Sequence, residues 1–145
     1  MSNELGIDDS LLNGLLEITS SRSVLAPNSD DLPEGSRQIL IVSDHNIVSA
    51  GYISGGNTNS QSVIILTGQP SPSSDPVLKV AYIMFVPDGD AIRTPQYTKL
   101  AGRIDIWVHQ RNLQTILTQI HEGNVFCWIG HFANNHIYAD IHSSH

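Results

Sequence analysis

One cysteine, Cys127, and an aromatic share of only 6% are the first constraints this chain imposes. A lone thiol excludes an internal disulfide, so stability has to come from apolar burial, and a reducing, cytoplasmic setting is the expectation. Charge is also scarce, at 14% of residues. Its longest apolar runs, such as Val80–Val86, fall far below the roughly 18 residues that a membrane span requires. The opening MSNELGIDDSLL carries acids where a secretory leader carries basic residues, so secretion is not expected. No phosphate-binding loop, glycine-rich dinucleotide fingerprint, nucleophile elbow, zinc-type HExxH or paired CxxC is present, and no cofactor is expected.

The charge that exists is unevenly placed. Seven acids face only Arg22 within residues 1–34, which carry a net −6, while the remaining 111 residues are nearly neutral at −1. Neither part offers a basic surface to neutralise phosphates, which argues against nucleic acid and against an anionic membrane as partners. A charge-poor body has little to repel its own copies, so a homo-oligomer is the expected state.

What is there divides at about residue 35. In 8–19, Leu11, Leu12, Leu15, Leu16 and Ile18 fall near helical spacing behind Asp8, Asp9 and Ser10, which suit a helix start. Gly14 weakens that short amphipathic helix, and helices of this length need a surface to dock on. The stretch 20–35, with Pro27 and Pro33 among Ser, Asn and Asp, reads as a linker. Residues 1–35 therefore form an acidic arm, a candidate contact for a protein partner, and 36–145 a single β-rich domain.

Within the domain, period-2 patterns dominate. Gln38–Ser43 and Ile47–Ser54 flank Asp44-His45-Asn46 as a hairpin, and Ser62–Thr67 and Val77–Val86 follow as strands. In Gly102–Val108, Ile104, Ile106 and Val108 alternate with Arg103, Asp105 and Trp107, the pattern of a half-exposed strand that leaves Trp107 among polar neighbours. Over Arg111–Glu122, Leu113, Ile116, Leu117 and Ile120 form an apolar stripe, with Gly123 placed as a C-cap. Asn124–Phe132 and His136–His142 close the chain as strands. The fold class these elements specify is α+β and β-rich: a mainly antiparallel sandwich or open barrel, with the 111–122 helix packed on the sheet.

A two-residue turn at Asn134-Asn135 would set Phe132 opposite Ile137, His131 opposite Tyr138, Trp128 opposite Ile141 and Cys127 opposite His142. Phe126, Trp128 and Phe132 would then face the core, and Cys127, His131, Tyr138, Asp140 and His142 would share the other surface. A thiol beside a histidine and a carboxylate could be activated as a nucleophile, yet a hairpin supplies no oxyanion hole, and a packed cysteine is the commoner case. The histidines lack the spacing of a metal site, so surface histidines are the simpler reading. Asp88-Gly89-Asp90 offers two carboxylates one residue apart, which turn geometry explains without a cation.

Two functions are compatible with these residues. The first is a non-enzymatic, self-associating interaction module that uses Trp107 and the Cys127, His131, Tyr138 face. The second is a small enzyme or ligand-binding protein with a pocket between loop 87–99 and hairpin 124–142, where Tyr97, Asp88, Asp90, His131 and Asp140 converge.

Overall fold

The computed structural model describes residues 31–54 and 57–144, and the helix expected over 8–19 lies outside them. Seven strands carry the fold: β1 (Arg37–Ser54), β2 (Asn57–Pro70), β3 (Val80–Val86), β4 (Gln96–Thr98), β5 (Arg103–His109), β6 (Val125–Phe132) and β7 (His136–Ser143). Between β5 and β6 a single turn of 3₁₀ helix, Gln110–Asn112, leads into α1 (Leu113–Glu122). The strands form one mixed sheet in the order β4-β5-β3-β2-β1-β6-β7, curled into a half-barrel. The pairing is antiparallel throughout except for β3 with β5, so the mainly antiparallel, open-barrel expectation holds, with one helix on the sheet.

The expected hairpin at Asp44-His45-Asn46 is absent. Its two strands are halves of one long β1, which pairs with β6 over its first five residues and with β2 along most of its length. The turn-like residues mark a β-bulge instead, where the register passes from Val42 opposite Gly68 to Asp44 opposite Thr67. Gly68 is required at that point, because a Cβ there would overlap the Ile41 carbonyl oxygen. Such bulges bend a strand and raise its twist, which is what lets one strand serve two partners in a curled sheet.

The apolar stripe of α1 behaves as its spacing dictates. Ile116 is buried, Leu113, Leu117 and Ile120 pack beside it, and Gly123 ends the helix at φ 84° with its N–H donating to the Ile120 carbonyl. The Gln119 side-chain amide donates to the Ile141 carbonyl, tying the helix to β7. Beneath α1, on what we term the helix face, Leu40, Ile64, Leu66, Ile83, Ile104, Cys127 and Ile129 make the principal core. A second apolar cluster occupies the opposite face of β2, β3 and β5, composed of Val63, Ile65, Val80, Tyr82, Met84 and Trp107. The strand β5 is consequently buried on both faces, not half-exposed. Its polar residues tolerate this because Arg103 Nε donates to the Asp105 carboxylate at 3.2 Å and the guanidinium lies over the Tyr82 ring.

Residues 31–36 are built into the body as a strap. Leu32 is fully buried in the principal core, and its carbonyl accepts from His131 Nδ1 at 2.8 Å. Gly35 donates to the His131 carbonyl, and His131 N–H donates to that of Ser36. Asp31 accepts from the Lys99 amide at 3.1 Å, so the strap reaches from β6 to the loop that follows β4. These strands lie near opposite margins of the sheet, and Leu32 seals the core between them. Replacing Leu32 with alanine should therefore lower unfolding stability by about 3 kcal/mol in a denaturant titration, through lost burial and a residual cavity. The fully exposed Leu100→Ala should change it by less than about 0.5 kcal/mol.

Candidate interaction surface

The geometry of the closing hairpin decides which residues reach solvent. Asn134 and Asn135 do adopt positive φ, at 62° and 58°, as their tolerance of the left-handed region suggests. The pairing nevertheless sets Phe132 opposite His136, which makes the loop three residues long and shifts every partner by one position. His131 thus lies opposite Ile137, Trp128 opposite Asp140, and Cys127 opposite Ile141. Because side chains alternate along a strand, that single step reverses the faces of β6 relative to the expectation. Cys127 and His131 turn toward the helix-face core, and Phe126, Trp128 and Phe132 turn outward.

Burial removes the chemistry that Cys127 might have carried. Its side chain is fully enclosed, and desolvation drives the thiol far above its ordinary pKa, with the fields of Asp140 and Asp105 adding to the effect. A thiol held protonated is no nucleophile. The His131 ring is committed to the strap through Nδ1, and its buried Nε2 has no partner among the described residues.

The remaining sequence candidates disperse. Trp107 is 4% exposed, with Arg93 stacked 5.6 Å over its ring, and is part of the opposite-face cluster, not an open contact. Tyr97 is buried, donating its hydroxyl to Asp75 at 2.9 Å; burial first and that hydrogen bond second push the phenol well above its usual range. Asp88 accepts from the Arg111 amide at the start of the 3₁₀ turn, and the Asp90 carbonyl accepts from His109 Nε2. Both therefore fasten loop 87–95 to the end of β5. The hairpin bearing Asp140 forms the far margin of the sheet, so the five residues expected to line one pocket are not brought together.

Tyr138, Asp140 and His142 do come together, on the outer face of β7. Tyr138 hydroxyl donates to Asp140 Oδ2 at 3.1 Å, and His142 Nδ1 stands 2.7 Å from Oδ1 of the same carboxylate. The hydrogen bond to Asp140 raises the Tyr138 pKa above its ordinary value. Around this triplet lie the outward side chains of β6. Trp128 meets the Tyr138 ring edge-on at 5.5 Å and the Phe132 ring at 5.8 Å, and Phe126 stacks on His142 at 5.6 Å. The Trp128 indole packs directly over Gly130, where a Cβ would displace the ring.

Across the β1–β6 pairing, Ile39 and Ile41 extend the same surface. A shallow depression of about 550 Å³ runs along it, lined by Ile39, Ile41, Ser71, Phe126, Trp128 and His142. Exposures of 40% for Ile41, 47% for Phe132 and 46% for Tyr138 show that the patch is open to solvent. Four of the nine aromatic rings in the chain therefore share one outer surface. The sequence reading assigns three of them to the core through the register of a two-residue Asn134-Asn135 turn, and with Val125, Cys127 and Ile129 alternating with Phe126 and Trp128, both faces of β6 are apolar and do not correct it.

Among the described residues, no group of three or more His, Cys, Asp or Glu side chains is placed to hold a metal ion, and no helix is long and apolar enough to cross a membrane. Native Cys127 should consequently resist a thiol reagent and label only at the rate of unfolding, while Cys127→Ser should cost about 1–3 kcal/mol by burying a hydroxyl in an apolar site. Labelling as fast as a free thiol would contradict this placement. No family model, curated protein or solved structure matches this chain, so what it can do has to be read from its own surface.

Proposed function

We propose that this protein is a non-enzymatic interaction module that self-associates through the outer face of β1, β6 and β7. The observation that carries the reading is the contiguous patch of Ile39, Ile41, Phe126, Trp128, Phe132 and Tyr138. Aromatic residues clustered at an open surface are the side chains that anchor protein interfaces, because they bury much area at little entropic cost. The polar groups within the patch also suit burial. Asp140 is already engaged by Tyr138 and His142, so covering it would leave fewer unsatisfied atoms than covering a bare carboxylate.

The strand β7 adds a second element to the reading. It stands at the end of the sheet, and its outer edge pairs with no strand among the described residues. A twofold arrangement in which two copies bring these patches together would cover the aromatic cluster and shield the edge at once. A near-neutral body removes the charge repulsion that would oppose it.

Light scattering or sedimentation of the full chain at tens of micromolar should give a mass near twice 15.8 kDa. Tyr138→Ala should raise the dimer dissociation constant roughly 5- to 30-fold, as for an interface anchor worth about 1–2 kcal/mol, with thermal unfolding little changed. Trp107→Ala, by contrast, should destabilise the fold itself. A monomer at every concentration tested rules the reading out.

A further inference from the structure

The opposite face of β2, β3 and β5 presents a physical problem of its own. Ile65 and Met84 have no exposure there, and Val63, Tyr82 and Trp107 have almost none. One face of a sheet cannot exclude water by itself; a second layer has to lie on it. The helix α1 packs on the other face, and every residue of this cluster and of its described partly buried neighbours, Val48 and Val86, belongs to the sheet. From the loop before β4, the Arg93 guanidinium lies over the Trp107 ring at 5.6 Å.

We propose that this face is the docking site for the N-terminal segment of the same chain, with Leu11, Leu12, Leu15, Leu16 and Ile18 as its cover. Four observations support that occupant. The described chain begins at Asp31, which is fastened to the Lys99 amide just before β5, the strand that carries Trp107. Residues 20–30 can span about 35 Å when extended, ample to bring residue 19 over the middle of the sheet. The stripe fits the area: a helix of twelve residues over 8–19 is about 18 Å long, and the centres of β2, β3 and β5 span about 10 Å before side chains are added. Charge agrees as well, since Asp8, Asp9 and Glu17 would approach a face bordered by Arg93.

The tip of the β1–β2 hairpin is a poorer occupant. β2 leaves β3 at Ser62, so residues 57–61 pair only with β1, and the sequence from 49 to 61 offers just Tyr52 and Ile53 as large apolar side chains. Docking of the leucine stripe makes residues 1–30 a second layer of the fold, not a free arm for a partner. It concerns β2, β3 and β5, and the aromatic patch lies over β1, β6 and β7 on the same side of the sheet, so either proposal can fail without the other.

The two tryptophans provide the test. In full-length Trp128→Phe protein, Trp107 is the only indole, and its emission should be blue-shifted and resistant to acrylamide. Adding Leu12→Ser, Leu15→Ser and Leu16→Ser should shift that emission to the red and raise the quenching constant severalfold. The same three changes in Trp107→Phe protein should leave the Trp128 signal unaltered. Unchanged protection of Trp107 in the triple variant overturns the proposal, and protection that falls on dilution of the parent overturns it in favour of a second copy as the cover. Should the triple variant fail to fold, Gly14→Ala decides: a docked helix gains about 3 °C in Tm from the better helix former, and an unchanged Tm rejects the docking.

Discussion

Everything in this fold follows from the need to bury β3 and β5 on both sides. Their one parallel pairing joins strands whose apolar residues face two ways: Ala81, Ile83, Ile104 and Ile106 toward the helix, and Val80, Tyr82, Met84 and Trp107 away from it. Parallel strands are seldom left open to water, and the crossover between them uses the loop bearing β4. The sheet therefore grows outward from a centre buried on both faces toward thinner margins. At one margin the three-residue β4 is fastened by Tyr97 to Asp75, and at the other β7 leans on α1 through Gln119.

The bulge in β1 makes the two halves compatible. Before it, β1 follows β6 and sends Leu40 into the helix-face core; beyond it, β1 follows β2 out past the end of β3. An extra residue at Ser43 keeps Leu40 and Val42 on the core side while the strand changes direction. Removing the freedom of Gly68 would set these two requirements against each other, since the partner backbone passes too close for any side chain.

The regular elements were legible in the sequence wherever one pattern was unambiguous. The α1 stripe and its Gly123 cap, the β6 and β7 segments and the mainly antiparallel sheet all follow from spacing alone. Misreadings arose where two physical rules competed. Asp44-His45-Asn46 has turn composition, but a bulge also accepts such residues, and the pairing of Ile47 with Ile64 and Val48 with Val63 decided for a continuous strand. At β7, one residue of loop length reversed the facing of β6, which its two apolar faces could not have revealed. Trp107 looked exposed beside Arg103 and Asp105 because a local pattern cannot show that two charges neutralise each other. Of the candidate surface, Tyr138, Asp140 and His142 were visible from the sequence, and the aromatic ground on which they stand was not.

The strap has a consequence for the order of events during folding. Leu32 and His131 are 99 positions apart in the chain, yet the carbonyl of one and the imidazole of the other share a hydrogen bond that holds the core closed. Closing so long a loop is entropically costly, and contacts of this range slow folding relative to local ones. A nascent chain cannot make this bond until β6 has emerged, when six of the seven strands are already available. Until then the apolar interior remains open at one end, so the interval between the emergence of β3 and that of β6 is when this chain is most exposed to wrong partners.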